Sequence, residues 1–206
     1  MRLAGHKVTA LVRNEQSLDS ITTRDNLTII KGQPQDRADI NKAFEAIPDD
    51  IPAVTIVTLN NARTSDNPFA KPISPPTFMH DSHVNLVEAM KQYGVRKLVT
   101  LQALGVGDSW PSLFWLVKLL VSFTNMGIGY KDHELAEEVI KQSGLTYVLA
   151  RPIRLVDGPS TDIHFFGNDG QGIGAFGTIS RQSVATFLVD AAEKDDWNGK
   201  TPAISN

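Results

Sequence analysis

Ala53-Val54-Thr55-Ile56-Val57-Thr58-Leu59 is an unbroken run of β-branched and apolar side chains with no charged residue in it. A strand that alternates polar and apolar residues keeps one face wet, whereas a continuous run is the pattern of a strand covered on both faces of a parallel sheet. This run therefore predicts an α/β architecture. C-terminal to it, residues 60–76 carry Pro68, Pro72, Pro75 and Pro76 among Asn, Ser and Asp. That is a loop longer than the usual ~2–6 residues between a strand and a helix, and long loops at that place are usually functional. Residues 81–93 then put Val84, Val87 and Met90 at helical spacing before a Gly94 stop, and Arg96-Lys97-Leu98-Val99-Thr100-Leu101 reads as the next strand. Strand, helix and strand make one βαβ unit.

The same alternation extends in both directions. Upstream, residues 7–12 and 27–31 read as strands. Behind a capping Asp36, the side chains Ile40, Ala43, Phe44 and Ile47 share a helical face that Pro48 and Pro52 bring to an end. Downstream, residues 131–142 form a helix with Leu135, Ala136, Val139 and Ile140 on one face, followed by a strand over residues 146–150. A Gly-rich segment over residues 167–177, a helix over residues 180–194 and a short run over residues 201–205 complete the chain. Strands alternating with helices predict a parallel sheet with helices on both faces and ligands at the carboxyl ends of the strands.

Composition narrows the function. Length alone, 206 residues, suits one domain. Twenty Lys+Arg against 23 Asp+Glu leave a net charge of −3, so there is no basic field to neutralise a nucleic-acid backbone. The absence of cysteine excludes disulfides, thiolate chemistry and Cys-ligated zinc, and it fits a reducing, cytoplasmic compartment. The most apolar segment, residues 113–123, is interrupted by Lys118 and is far short of the ~20 residues that cross a bilayer, so the expectation is burial or a place over a pocket rather than a membrane span. His80 and His83, with Asp81 between them, have no third partner nearby, and no metal site is expected. Gly172-Ile173-Gly174-Ala175-Phe176-Gly177 satisfies a dinucleotide fingerprint letter for letter, but no strand ends at its first Gly and no helix starts inside it. It reads as a turn.

Several strings, taken in order, carry a resemblance: Gly5-His6-Lys7-Val8-Thr9-Ala10-Leu11-Val12-Arg13-Asn14, Val95-Arg96-Lys97-Leu98-Val99-Thr100, Leu104-Gly105-Val106-Gly107-Asp108-Ser109, Ser143-Gly144-Leu145-Thr146-Tyr147-Val148-Leu149-Ala150-Arg151-Pro152 and Ile179-Ser180-Arg181-Gln182-Ser183-Val184-Ala185. Together they resemble the atypical short-chain dehydrogenase/reductases, the NmrA-like and biliverdin/flavin-reductase-like group. The resemblance covers nearly the whole chain and implies a single domain over residues 1–206. It implies a Rossmann-like doubly wound parallel α/β sheet, an NADP cofactor and a small organic substrate. Such proteins open on a strand and a Gly-x-x-Gly-x-x-Gly turn that cradles the pyrophosphate. Here that motif is missing, and Met1-Arg2-Leu3-Ala4 is similar to the last turn of the helix that follows it. The expectation is a sheet without its first strand, leaving a gap between the strands at residues 7–12 and 53–59. A functional protein would then carry about 20 more N-terminal residues.

On its own, Arg13 is either a solvated side chain in a turn or a phosphate ligand. The resemblance implies that it holds the NADP 2′-phosphate, with Asn14 beside it. It also implies that Gln33 meets the adenine, and that Leu59, Asn60 and Arg151, at or beside strand ends, face the cofactor. The family's Ser, Tyr and Lys triad is replaced by Gln102, Gly129 and His133. Gln102 and His133 are the candidate catalytic residues, Gln102 to bind a carbonyl oxygen or the nicotinamide amide, and His133 to protonate a reduced substrate. Beside Asp132, His133 also reads as an ordinary surface or capping histidine. The expected pocket is bounded by residues 59–62, 102–105 and 151–155. Trp110, Leu113, Phe114, Trp115, Leu116 and Phe123 either pack a core or roof that pocket. A reductase is one reading, and a non-catalytic NADP sensor or a cofactor-free isomerase or lyase are the alternatives.

Overall fold

The computed structural model describes residues 5–18, 25–47, 50–65 and 67–206. In chain order its first half contains β1 (Val8–Val12), β2 (Leu27–Lys31), α1 (Arg37–Phe44), β3 (Val54–Val57), α2 (Phe78–Tyr93) and β4 (Lys97–Leu101). The second half contains α3 (Trp115–Phe123), α4 (Met126–Gln142), β5 (Thr146–Pro152), β6 (Arg154–Val156), β7 (His164–Phe165), β8 (Thr178–Ser180), α5 (Arg181–Glu193) and β9 (Ala203–Ser205).

The main sheet has the order β3-β4-β5-β9-β7, parallel throughout except for β7, which runs antiparallel to β9. Period-two alternation along the central strands sends successive side chains to opposite faces. Leu98 and Leu149 join Ile40, Phe44, Met90 and Ile140 in the core under α1, α2 and α4. Val99, Val148 and Ala150 join Val184, Phe187, Leu188 and Ile204 in the core under α5. That is the predicted doubly covered parallel sheet.

β1 and β2 form a separate two-stranded parallel sheet, Val8 opposite Leu27 and Val12 opposite Lys31. Among the described residues β1 pairs only with β2 and β3 only with β4, so no strand joins the two sheets. The reading of Met1-Arg2-Leu3-Ala4 lies outside the described residues, as does Pro48.

Four elements differ from their expected form. β3 is not covered on both faces: as an edge strand it leaves Ile56 37% exposed. α1 ends at Phe44, so Ile47 lies beyond it. α2 starts at Phe78 rather than 81, and α4 starts at Met126 rather than 131. The first shift has a tertiary cause. Thr77, at the N-cap of α2, makes no capping bond with its side chain. Instead Asp132, from α4, accepts from the backbone N–H groups of Met79 at 2.8 Å and His80 at 2.9 Å. The carboxylate meets two of the free N-terminal N–H groups and sits at the positive end of the helix dipole. α4 begins early through Gly127 and Gly129, residues that carry little helix propensity of their own.

The segment over residues 113–123 also departs from expectation. It is helix α3, and only its inner face, with Val121, is buried, while Trp115, Leu116, Leu119 and Phe123 point outward.

Candidate active site

The carboxyl ends of β3 and β4 face the first turns of α4 across a cavity of about 370 Å³. Asn60, Asn61 and Arg63 come from the loop after β3, Ala103 from just past β4, and Gly129, Tyr130 and His133 from α4. The loop is a built structure. Arg63 and Pro72 form an antiparallel bridge, Thr64 N–H donates to the Lys71 carbonyl at 3.0 Å, and Ala62 N–H donates to Ser74 Oγ at 3.0 Å. Asn125 Nδ2 ties the loop to the start of α4 by donating to the carbonyls of Phe69 at 2.9 Å and Ala70 at 3.2 Å.

Two of the expected side chains meet here. His133 Nδ1 and Gln102 Oε1 are 2.6 Å apart, so the imidazole Nδ1–H donates to the amide oxygen and leaves Nε2 as an acceptor. Gln102 is buried, and its Nε2 has no partner among the described residues. A buried amide donor without a partner costs free energy that a ligand acceptor would recover. Burial, reinforced by the nearby His83, pushes the His133 pKa down to about 4, with Asp132 and Glu137 pulling weakly the other way. At neutral pH the imidazole is uncharged. That corrects the expectation of a histidine titrating near neutrality: desolvation disfavours the cation. Beside it, burial raises the Tyr130 phenol above its ordinary value, so its hydroxyl stays a hydrogen-bond donor.

Asn61 fell inside the expected pocket boundary of residues 59–62 without being singled out as a site residue. Its amide donates to Asp132 at 3.0 Å, while its buried Oδ1 has no partner among the described residues. Arg63 and Tyr130 were also left out of the predicted site. The available signal was the length of the 60–76 loop, which named a functional segment without naming a residue.

The remaining expected residues divide. Arg13 is exposed, with its guanidinium 6.0 Å above the Phe78 ring, and no carboxylate pairs with it among the described residues. Asn14 uses its Oδ1 locally, accepting from Gln16 N–H at 3.1 Å. Gln33 lines a second, open cleft of about 410 Å³ with Gln35, Asp36, Arg37, Asp39 and Asn85. Asn60 lines the main cavity, whereas the Leu59 side chain packs against Phe78, Met79 and Ala136.

Arg151 must be corrected outright. It is 0% exposed, and its Nη2 donates to both oxygens of Glu137 at 2.8 and 2.9 Å. Its Nη1 bonds Asp108 and, at 2.7 Å, the Asn168 carbonyl. With those donors used, it anchors the fold rather than a phosphate. The predicted pocket boundary changes with it, because α4 replaces residues 151–155 as the third wall and the Trp110–Phe123 segment does not line the cavity. Gly107, at φ 57°, lies over this pair, where a Cβ would come within 2.9 Å of Glu137 Oε1.

His83 is fully buried, donates from Nδ1 to the Met79 carbonyl at 2.7 Å and accepts at Nε2 from Thr100 Oγ1 at 3.2 Å. It is a satisfied core histidine, and no cluster of metal ligands occurs among the described residues. Gly172 to Gly177 is turn, as the missing strand and helix around it required.

A family model described as NAD(P)H-binding matches residues 2–195. The chain belongs to this NAD(P)H-binding family. Solved structures agree on the fold. A short-chain dehydrogenase/reductase from Veillonella parvula is 16% identical, with a TM-score of 0.72 over 97% of this chain and 82% of its own. The same protein in complex with NADP gives 0.71 over the same shares, again at 16% identity. ChuY, an anaerobillin reductase from Escherichia coli, is 19% identical with a TM-score of 0.70, covering 96% of this chain and 84% of its own. The fold is thus the Rossmann-like α/β class that the resemblance implied, and a nicotinamide cofactor is the family's ligand. No helix among the described residues is long and apolar enough to cross a membrane.

Proposed function

We propose that this chain is an NADPH-preferring, reductase-like protein of the NmrA-like branch, acting in the cytoplasm on a small organic substrate held between the 60–76 loop and α4. The observation that carries the reading is the place of the cavity. It opens at the carboxyl ends of β3 and β4 of an NAD(P)H-binding chain, the location at which α/β sheets take their ligands.

Two residues outside the cavity lining, one past β1 and one past β4, suit a dinucleotide. The exposed Arg13, with no carboxylate partner among the described residues, offers a guanidinium to a 2′-phosphate, and the buried Gln102 Nε2 offers an unspent donor to a carboxamide or carbonyl oxygen. Bound NADPH would supply the hydride, so loss of the usual Ser, Tyr and Lys is survivable. His133 then works as a neutral group. Its Nε2 accepts a hydrogen bond from a substrate hydroxyl or N–H, and Gln102 is the positioning residue that fixes the tautomer. The Tyr130 hydroxyl, kept protonated by burial, is the donor available on the opposite hydrogen-bond polarity.

The test is a titration of NADPH and NADH against the wild type and Arg13→Ala. The wild type is expected to prefer NADPH by about tenfold or more, the worth of one charge-assisted contact, and the variant to lose that preference. Equal affinities in the wild type would end the NADP assignment. Binding without oxidation of NADPH across carbonyl, quinone and flavin acceptors would favour a sensor.

A further inference from the structure

We infer that the cavity beside His133 takes an anionic amphiphile, a ligand with a carboxylate or equivalent anionic oxygen group held by Arg63 and an apolar body lying across the cavity mouth. The inference deepens the reading of this cavity as a substrate site.

Arg63 lines the cavity, and of its five N–H donors the structure engages one, Nη1, which donates to the Asn67 carbonyl at 3.2 Å. No carboxylate among the described residues forms an ion pair with it. Its charge reaches the half-buried Tyr130 phenol, which it pulls against the effect of burial. Arg63 is half-buried and presents part of its surface to the cavity. A partly desolvated cation with unused donors is matched best by an anion that can accept two parallel N–H bonds. Its placement is also prepared in advance. The Arg63–Pro72 bridge, the bond from Ala62 to Ser74 and the tie from Asn125 hold the loop that carries it, so little ordering is left for ligand binding.

The apolar half of the inference rests on where the exposed hydrophobic side chains lie. Four large exposed hydrophobics, Phe69, Ile73, Phe123 and Ile128, line the cavity or lie within three residues of a lining residue in the chain. Phe69, 69% exposed, and Phe123, 78% exposed, flank Asn125, which itself lines the cavity. Ile128, also exposed, lines it directly, and Ile73 follows the lining residue Pro72. Exposed apolar side chains gathered beside a cavity mark a ligand or partner surface, in contrast to single ones scattered over a protein. A ligand with only a charged end would leave that rim in water.

Isothermal titration of the full chain with 2-naphthoate and with its neutral analogue 2-naphthamide tests this, each with and without saturating NADPH. The acid is expected to bind about tenfold tighter or more than the amide, with or without cofactor, as one bidentate charge-assisted contact implies. Arg63→Gln should erase the preference and Arg63→Lys keep part of it. Lys71→Gln, an exposed cation on the same loop, should leave it intact. Equal binding of acid and amide by the wild type, no binding of the acid, or a preference that survives Arg63→Gln would overturn the inference. So would an equal loss in Lys71→Gln, which would make the effect a diffuse field. Displacement of naphthoate by NADPH would hand Arg63 to the cofactor and overturn it too. The wild-type comparison holds even if a variant fails to fold. NADPH binding without any preference for the acid would sink this inference and leave the proposed function standing.

Discussion

The β1-β2 sheet and the five-stranded main sheet carry different halves of the proposed chemistry and are held by different amounts of packing. In β1 and β2 every residue is half-buried except the exposed Lys31, and none is fully buried. In β4 the three central residues are buried, and in β5 all from Val148 to Pro152 are. Arg13 and Gln33 belong to the loose sheet, whereas Gln102, and His133 bonded to it, belong to the rigid one. On the proposed function, recognition of the cofactor's distinguishing end would sit on the less buried sheet and the reacting end on the core.

The strongest way to sharpen that contrast is to cut into the rigid side. Arg151→Leu leaves the buried Glu137 without its bidentate partner, and Glu137→Leu does the reverse. Either is expected to cost about 3 kcal/mol in denaturant unfolding, because the remaining buried charge keeps only its second, partly exposed partner, Lys141 for Glu137 and Asp108 for Arg151. A loss below about 1 kcal/mol would mean the pair is not the anchor described.

Asp132→Ala comes next. It removes the acceptor for two N–H groups at the start of α2 and for the Asn61 amide, at an expected cost of about 2–3 kcal/mol. Amide exchange should speed up first at Met79 and His80. If it does not, the cap is idle.

Lowering the pH tests the same region with no mutation. His83 and His133 both have folded pKa values depressed by burial, His133 to about 4 from an ordinary 6.5. The unfolded chain binds protons near 6.5 that the folded chain refuses, so stability is full above that pH and falls as the pH drops towards 4. For His133 the loss is about 1–3 kcal/mol, reduced from the full shift because part of the side chain is wet. Replacing His133 with Gln should flatten the slope over that window, and an unchanged slope would show that the imidazole is not held neutral by burial.

These elements also show what sequence could and could not reveal. Strands β1 to β5 were legible because each is a short apolar run whose identity does not depend on what it touches, whereas the two- and three-residue strands β6, β7 and β8 were not. The Asp36 cap was legible because donor and acceptor lie within a few residues of each other. The starts of α2 and α4 were not, since Asp132 caps a helix more than fifty residues away. Arg151 misled for the same reason: an arginine at a strand end looks available until Glu137, Asp108 and the Asn168 carbonyl are seen to use it. Gln102 and His133 were recoverable only through the resemblance, which aligned two unremarkable residue types with positions of known chemistry. Arg63 had no such alignment, only the long loop around it.

The smallest effect is expected on the loose side. Ile30→Ala in β2 removes a half-buried side chain and should cost about 1 kcal/mol, where Val99→Ala in the buried face of β4 should cost about 2–3 kcal/mol. Equal costs would erase the distinction between the sheets.

The central claim is that one dinucleotide spans both sheets, from Arg13 to Gln102. Hydrogen–deuterium exchange of the full chain with and without NADPH reads it most directly. The account predicts fast exchange over residues 8–18 in the free protein, slowed by NADPH together with residues 101–106 at the end of β4. Slowing confined to the Gly-rich turns at residues 167–177, or no change at either predicted segment, would contradict it.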